Sequence, residues 1–374
     1  MLYLFFLGRD PELSLIELES FLETKNYEFS LKEHHREIAL FEIKKFNPNC
    51  IKELGGVLRI AEVISNSHDL NEVELNLKKA DIYHGSANKI NYYITNFKSN
   101  LISFFESWLK DYFKEIKLKA IMKKNPDPSD LIKKDIPNTN LDFVLFKNNI
   151  GKTISLYDPL ELKKRDLGRP NVDYLKSTSL RLAKILVNLT KVKETQTLLD
   201  PFCGSGTILQ EAMLKNINVV GIDSEGNSIT QTKSNLEWLN KTYNTKAKFN
   251  LFKSDSSMLS NILKTKVDGI ATEPYMGPYI RKLPTMEQGR RLVMELTILY
   301  DNVLRESFKV LKDNGRFVII IPKIRTLQNK DVSINFKDLT ARNGFGIVYA
   351  PIAYNYRKSK ILREIYVLEK TSLN

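Results

Sequence analysis

Cysteine and histidine are scarce in these 374 residues. The two cysteines, Cys50 and Cys203, stand far apart, which excludes a disulfide framework and a Cys-rich metal knuckle and fits a reducing compartment. His34, His35, His68 and His84 fall in no metal-ligand spacing, so no metal site is expected. No apolar run approaches the ~20 residues that span a bilayer. The opening Met1-Leu2-Tyr3-Leu4-Phe5-Phe6-Leu7-Gly8-Arg9-Asp10 lacks the basic start of a secretory leader. A cytoplasmic protein with no membrane partner is the expectation. Low-complexity tracts and fixed-period repeats are missing, as are the phosphate-loop pattern G-x-x-x-x-G-K-[ST] and the dinucleotide pattern G-x-G-x-x-G.

What is present is globular: 42% hydrophobic and 27% charged residues, in a chain long enough for two or three domains. The net charge of +13 is uneven, with residues 1–170 carrying +1 and residues 171–374 carrying +12. A basic half joined to a near-neutral half suits a polyanionic partner, although lysine-rich composition can also arise without functional meaning.

Three parts and a connector can be drawn. Residues 1–62 hold an apolar strand (Leu2–Leu7), a helix expected to open on the capping pattern Ser14-Leu15-Ile16-Glu17, and strands at Ile38–Ile43 and Leu58–Ile64. Residues 63–157 repeat the α+β theme, with strands near 90–94, 117–122, 143–146 and 153–157 and a helix over 101–113. Asn125-Pro126-Asp127-Pro128 and Ile136-Pro137-Asn138 read as turns. Residues 158–180 look like a connector. From 181 to 374 strands and helices alternate, predicting a buried parallel sheet covered by helices, with ligands at the carboxyl ends of its strands.

The most informative stretch is Leu199-Asp200-Pro201-Phe202-Cys203-Gly204-Ser205-Gly206-Thr207, a strand, a glycine turn and a helix start. Gly204 and Gly206 permit positive φ and close approach of backbone to a ligand, and the helix start offers unpaired N–H groups. With Asp200 closing the strand, the loop suits a ligand bearing a carboxylate, an ammonium and an adenosine, as S-adenosylmethionine does. Asp223, 17 residues after Gly206, ends the next strand and can accept both ribose hydroxyls; it can equally stabilise the dipole of the helix that follows. Asp255 after the third strand is either an acceptor for an adenine amine or a simple cap. Thr272-Glu273-Pro274-Tyr275 ends the fourth strand. There Glu273 and the Pro274 carbonyl can take the protons of an exocyclic amine while Tyr275 stacks on its base; otherwise it is a strand end broken by proline.

Together, Asp200–Thr207 and Glu273-Pro274-Tyr275 resemble the class I, Rossmann-like S-adenosylmethionine-dependent amino-methyltransferases. Leu7-Gly8-Arg9-Asp10-Pro11-Glu12-Leu13-Ser14, Leu54-Gly55-Gly56-Val57-Leu58-Arg59-Ile60, Lys164-Arg165-Asp166-Leu167-Gly168-Arg169-Pro170 and the helix Leu180–Leu189 are similar to the tRNA guanosine-10 N2-methyltransferase family. The resemblance covers nearly the whole chain. It implies an N-terminal ferredoxin-like domain (1–62), a THUMP RNA-binding domain (63–157) and a C-terminal Rossmann-like catalytic domain. The substrate it implies is the guanine N2 of tRNA, with no metal. The chain departs from the family's usual Asp-Pro-Pro-Tyr, having glutamate and one proline fewer, and Lys176-Ser177-Thr178-Ser179-Leu180 lacks the prolines common before that helix.

The cofactor residues expected are Asp200, Phe202, Gly204, Gly206, Thr207, Asp223 and Asp255, and the catalytic ones Glu273, Pro274 and Tyr275. Phosphate contacts are expected from Arg165, Arg169, Arg281 and Lys282, with Arg290, Arg291, Arg357, Lys358 and Lys360 as further candidates. A monomer is expected; a small activating protein subunit, as in eukaryotic relatives, is a partner the resemblance allows. An amino-methyltransferase of another RNA or DNA base would share the glycine loop and the acid-Pro-Tyr but leave residues 1–157 unexplained. A catalytically inactive tRNA-binding paralogue is the third reading.

Overall fold

The computed structural model describes residues 1–80, 82–123, 140–172, 178–354 and 359–371. The turns expected at 125–128 and 136–138, the residues Lys176 and Ser177, and the candidates Arg357 and Lys358 lie outside them. The chain divides into two units, Met1–Leu18 with Lys25–Lys164, and Glu19–Thr24 with Arg165–Asn374.

The first unit is built on one eight-stranded sheet, ordered β2-β3-β1-β4-β8-β7-β5-β6. Its strands are β1 (Leu2–Leu7), β2 (Phe29–His35), β3 (Ile38–Ile43), β4 (Val57–Asn66), β5 (Lys89–Phe97), β6 (Lys119–Lys123), β7 (Leu141–Phe146) and β8 (Asn149–Leu156). All pairings are antiparallel except β5 with β6 and β7. The boundary expected at residue 62 falls inside β4, which pairs with β1 on one side and β8 on the other. The two segments therefore share a sheet. Helix α1 (Pro11–Thr24) starts a turn earlier than the capping pattern implies. Ser14 lies within the helix and donates to the Asp10 carbonyl (2.8 Å). Glu17, fully buried, accepts instead from the amides of Gly55 and Gly56 at 2.7 and 2.6 Å. Helices α2 (Leu70–Lys79) and α3 (Ile102–Glu115) contribute Val73, Leu77, Phe105 and Leu109 to a core shared with Phe143 and Leu145.

The second unit carries α4 (Pro159–Gly168), whose Arg165 begins it, then α5 (Leu180–Leu189), β9 (Thr197–Asp200), α6 (Thr207–Met213), β10 (Asn218–Asp223), α7 (Gly226–Tyr243) and β11 (Phe249–Lys253). After the short helix α8 (Leu259–Ile262) come β12 (Val267–Thr272), α9 (Met286–Val310), β13 (Leu311–Arg325), β14 (Asp331–Ser333), α10 (Phe336–Arg342), β15 (Phe345–Ile347), β16 (Ile352–Ala353) and β17 (Ile361–Lys370). The sheet runs β11-β10-β9-β12-β13-β17-β15. Its first five strands are parallel, and β17 is antiparallel between β13 and β15. Strand order reverses between β9 and β12, so their carboxyl ends border the crevice where open α/β sheets hold ligands. The central strands read as continuous apolar runs because helices cover both faces: Phe317, Val318, Ile319 and Ile320 are fully buried. Thr285 and Gln288 close a reciprocal cap at the start of α9. Among the described residues no helix is long and apolar enough to cross a membrane.

Candidate active site at the strand ends

The glycine loop after β9 adopts the backbone its sequence demands. Gly204 and Gly206 sit at φ +52° and +80°, a region that side chains with a Cβ rarely enter. The two glycines serve different ends. A Cβ on Gly206 would lie 2.8 Å from the Thr232 methyl, whereas one on Gly204 would meet nothing within 4 Å. Gly204 therefore faces the open cradle, and Gly206 is the packed hinge against α7. A side chain at 206 would therefore press on α7.

Partners from α7 and the connector pin the loop. Thr232 donates to the Gly204 carbonyl (2.6 Å), and the buried Asn235 amide donates to the carbonyls of Ser205 and Asn171, both at 2.9 Å. The Asn171 amide donates back to Asn235 at 2.9 Å. Arg169 donates to the Thr207 hydroxyl at 3.0 Å and pairs with Asp166 at 2.6 Å. Arg165 pairs with Glu211 on α6. Both guanidinium groups are buried, so the expectation that they meet phosphates is corrected: they tie the connector to the start of α6. Removing either would strand a buried carboxylate or hydroxyl.

Three carboxylates gather at the ends of β9, β10 and β12. Asp200, only 2% exposed, accepts from the Phe202 amide (3.1 Å) and the Thr272 hydroxyl (2.7 Å). Burial pushes its carboxyl up to about 7, against those two hydrogen bonds and assisted by the charges of Asp223 and Glu273. Asp223 accepts from the amides of Gly204 and Glu225, both at 2.9 Å, so it secures the loop as well as capping the turn into α7. Asp255 is exposed, with one oxygen accepting from the Ser257 amide (2.7 Å) as the cap of a short turn. Phe202 packs beneath the loop against the main core. Desolvation and the neighbouring carboxylates also drive the Cys203 thiol well up, leaving a poor nucleophile.

Glu273 follows β12 directly, and its carboxylate is held from both sides. One oxygen accepts from the Thr178 hydroxyl at 2.6 Å, the other lies 3.2 Å from the Arg363 guanidinium of β17. A carboxylate has about four acceptor sites, so two engaged sites leave room for a ligand amine. Pro274 is buried, and the Tyr275 ring is 55% exposed. The Tyr275 carbonyl accepts from the fully buried Tyr300 hydroxyl at 2.8 Å, which fixes the backbone behind the ring. Asp268, by contrast, sits at the opposite end of β12, held by the Thr197 amide (2.9 Å) and Lys312 (2.5 Å). It is too remote along the strand to replace Glu273.

Arg281 and Lys282 are exposed on the loop after Tyr275, as are Arg290 and Arg291 at the start of α9. Arg291 pairs with Glu287. Lys360 donates to the carbonyls of Ile280 and Arg281 and thus tethers that loop. Sequence reasoning missed Thr178, Thr232, Asn235, Tyr300 and Arg363. Each acts across a long chain separation, and none belongs to a local motif.

Residues 173–347 match the family model described as UPF0020, RMKL-like, methyltransferase domain. The second unit resembles a methyltransferase. Over 215 residues, 56% of its length, the chain is 30% identical to the tRNA (guanine(10)-N2)-dimethyltransferase of Methanocaldococcus jannaschii, covering 54% of that protein. It is 40% identical over 104 residues to the protein of the same description from Methanothermobacter thermautotrophicus, covering 28% of this chain and 29% of that one. The chain thus spans about half the length of the first relative and under a third of the second. TrmN from Thermus thermophilus shares the fold, with a TM-score of 0.50 at 15% identity over 99% of this chain and all of that one.

Proposed function

We propose that this protein transfers a methyl group from S-adenosylmethionine to the N2 amine of guanosine in tRNA, at position 10. The observation that carries this reading is Glu273-Pro274-Tyr275 at the carboxyl end of β12, beside the glycine loop and the buried Asp200 across the strand-order reversal. The names of the curated relatives support the same substrate and point to two successive methylations.

The cradle fits the cofactor. The open space over Gly204 leaves its backbone approachable, Asp200 offers a carboxylate to an ammonium, and the free acceptor positions on Asp223 and Asp255 suit ribose hydroxyls and an adenine amine. Bound there, S-adenosylmethionine supplies an electrophilic methyl on a sulfonium. The residues of the chain prepare the nucleophile. The guanine amine is a poor one because its lone pair is delocalised into the ring. Glu273 and the Pro274 carbonyl hydrogen-bond its two protons, favour a pyramidal nitrogen and stabilise the positive charge that develops on it. When the amine takes up the methyl, the Glu273 carboxylate would accept the proton it gives up. Tyr275 holds the face of a base splayed from the tRNA.

Residues 1–157 supply the RNA-docking part, with ferredoxin-like and THUMP character, while Arg281, Lys282, Arg290 and Arg291 neutralise phosphates near the site. The protein works in the cytoplasm as a monomer, with a small activating subunit as a candidate partner. Incubation with labelled cofactor and unmodified bulk tRNA, followed by nucleoside analysis, tests the reading. Label in N2-methylguanosine or its dimethyl form is expected. Label in a methylated adenosine or cytidine would overturn it, as would tight tRNA binding without transfer.

A further inference from the structure

Glu273 carries the proposed chemistry, yet its side chain is one carbon longer than an aspartate's, and its carboxylate has an extra torsion to lose. Two residues from distant segments meet it: Thr178 before α5 and Arg363 on β17, the antiparallel strand. The Glu273 side chain is 13% exposed and that of Arg363 35%, so both are partly open to solvent. The charge of Glu273 is one of those that raise Asp200. The Arg363 guanidinium sets a positive charge against the Glu273 carboxylate.

We propose that Arg363 is a positioning residue for methyl transfer, with Thr178 as its counterpart: they clamp the two Glu273 oxygens and aim the remaining lone pairs at the target amine. This rests on the assignment of Glu273 given above. An unclamped glutamate samples several rotamers in which the carboxylate points away from the amine, and a misplacement of about 1 Å can cost up to ~100-fold in rate. Arginine suits the role because its planar, always-charged fork fixes direction as well as charge. The alternative for an arginine in a basic half is a phosphate contact, which would act on tRNA binding and be independent of Glu273.

Single-turnover transfer to unmodified tRNA separates the two, using the full chain and the variants Arg363→Gln, Thr178→Val, Glu273→Gln and the double variant Arg363→Gln/Glu273→Gln. Melting curves check the fold, and tRNA and S-adenosylhomocysteine affinities are measured separately. Arg363→Gln is expected to lower the chemical rate by roughly 10-fold to 100-fold with both affinities unchanged, and Thr178→Val by a smaller factor. In the Glu273→Gln background the Arg363 change is expected to add less than about 2-fold, because residues acting as a unit are not additive. An unchanged rate in Arg363→Gln overturns the proposal, as does a loss confined to tRNA affinity or an equal loss in both backgrounds. Crystal structures of the full chain and of Arg363→Gln supply a readout free of activity. The Glu273 carboxylate should stay on Thr178 in the first and swing away in the second; an unmoved carboxylate overturns the clamp. If the wild type transfers to no tRNA while the carboxylate does move, the substrate reading fails and the positioning assignment stands.

Discussion

Both units bury carboxylates, and they do so to different ends. In the first, Glu17 is spent on the amides of Gly55 and Gly56, and Asp142 on Arg59 and Thr153. These hydrogen bonds hold the fold of that unit together. In the second, Asp200, Asp223 and Glu273 collect at adjoining strand ends, near enough for the charges of the other two to raise Asp200. Folding alone gains nothing from crowding like charges. A cluster of this kind, beside a glycine loop at a strand-order reversal, is what the proposed site asks of the fold: stability given up for binding and chemistry.

That contrast predicts opposite kinds of damage. The largest effect is expected at the packed hinge. Gly206→Val puts a β-branched residue at φ +80° against Thr232, at a cost of roughly 3 kcal/mol or more. Calorimetry should find a lower melting temperature and no S-adenosylhomocysteine binding; retained affinity would show that the loop tolerates repacking. Next comes Glu273→Ala, which should slow single-turnover transfer by on the order of 10²-fold or more while leaving cofactor affinity intact.

Asp200 gives a signed pH effect. Its folded-state value of about 7 lies above the ordinary 3.8, so the fold holds this proton where the unfolded chain has lost it. The burial penalty is therefore absent at low pH, grows as pH rises through that window, and is complete above about 7. Asp200→Asn should lose cofactor binding yet exceed the wild type in stability at pH 8 by on the order of a few kcal/mol, an advantage that vanishes near pH 4. Parallel stability–pH curves for the two would contradict the cluster. In the first unit the sign reverses: Glu17→Ala should cost about 1–3 kcal/mol by orphaning two buried amides, with the transfer rate per folded molecule unchanged. Of the same order is Asp223→Ala, which removes a loop anchor together with the proposed ribose acceptor. It should weaken S-adenosylhomocysteine by roughly 1.5–3 kcal/mol, read by titration.

Local signals carried much of this architecture. The apolar runs that became β9, β10, β12 and β13 were legible because two-sided burial writes them as continuous hydrophobic stretches, and β3 appears over the residues its pattern predicts. Where burial is one-sided the signal faded. Strand β2, Phe29–His35, is largely polar and exposed and was not foreseen. Ser14 and Glu17 matched a capping pattern, yet their partners lie a turn back in the helix and at Gly55 and Gly56. The same limit applies at the site. Asp200, Gly204 and Glu273 announce themselves through neighbours in sequence, whereas Asn235, Tyr300 and Arg363 take their roles from contacts that only the folded sheet creates. The basic charge of residues 171–374 was visible too, and just before them the buried Arg165 and Arg169 show that a count of charges does not say which face solvent.

The central claim is that the exocyclic amine of one guanosine is the group presented to Glu273. It is tested most directly with two tRNA transcripts that differ at position 10, one carrying guanosine and the other inosine, which lacks only that amine. Labelled methyl transfer to the first and none to the second is the predicted result. Equal labelling of both would contradict the claim, since the methyl would then be going to another atom.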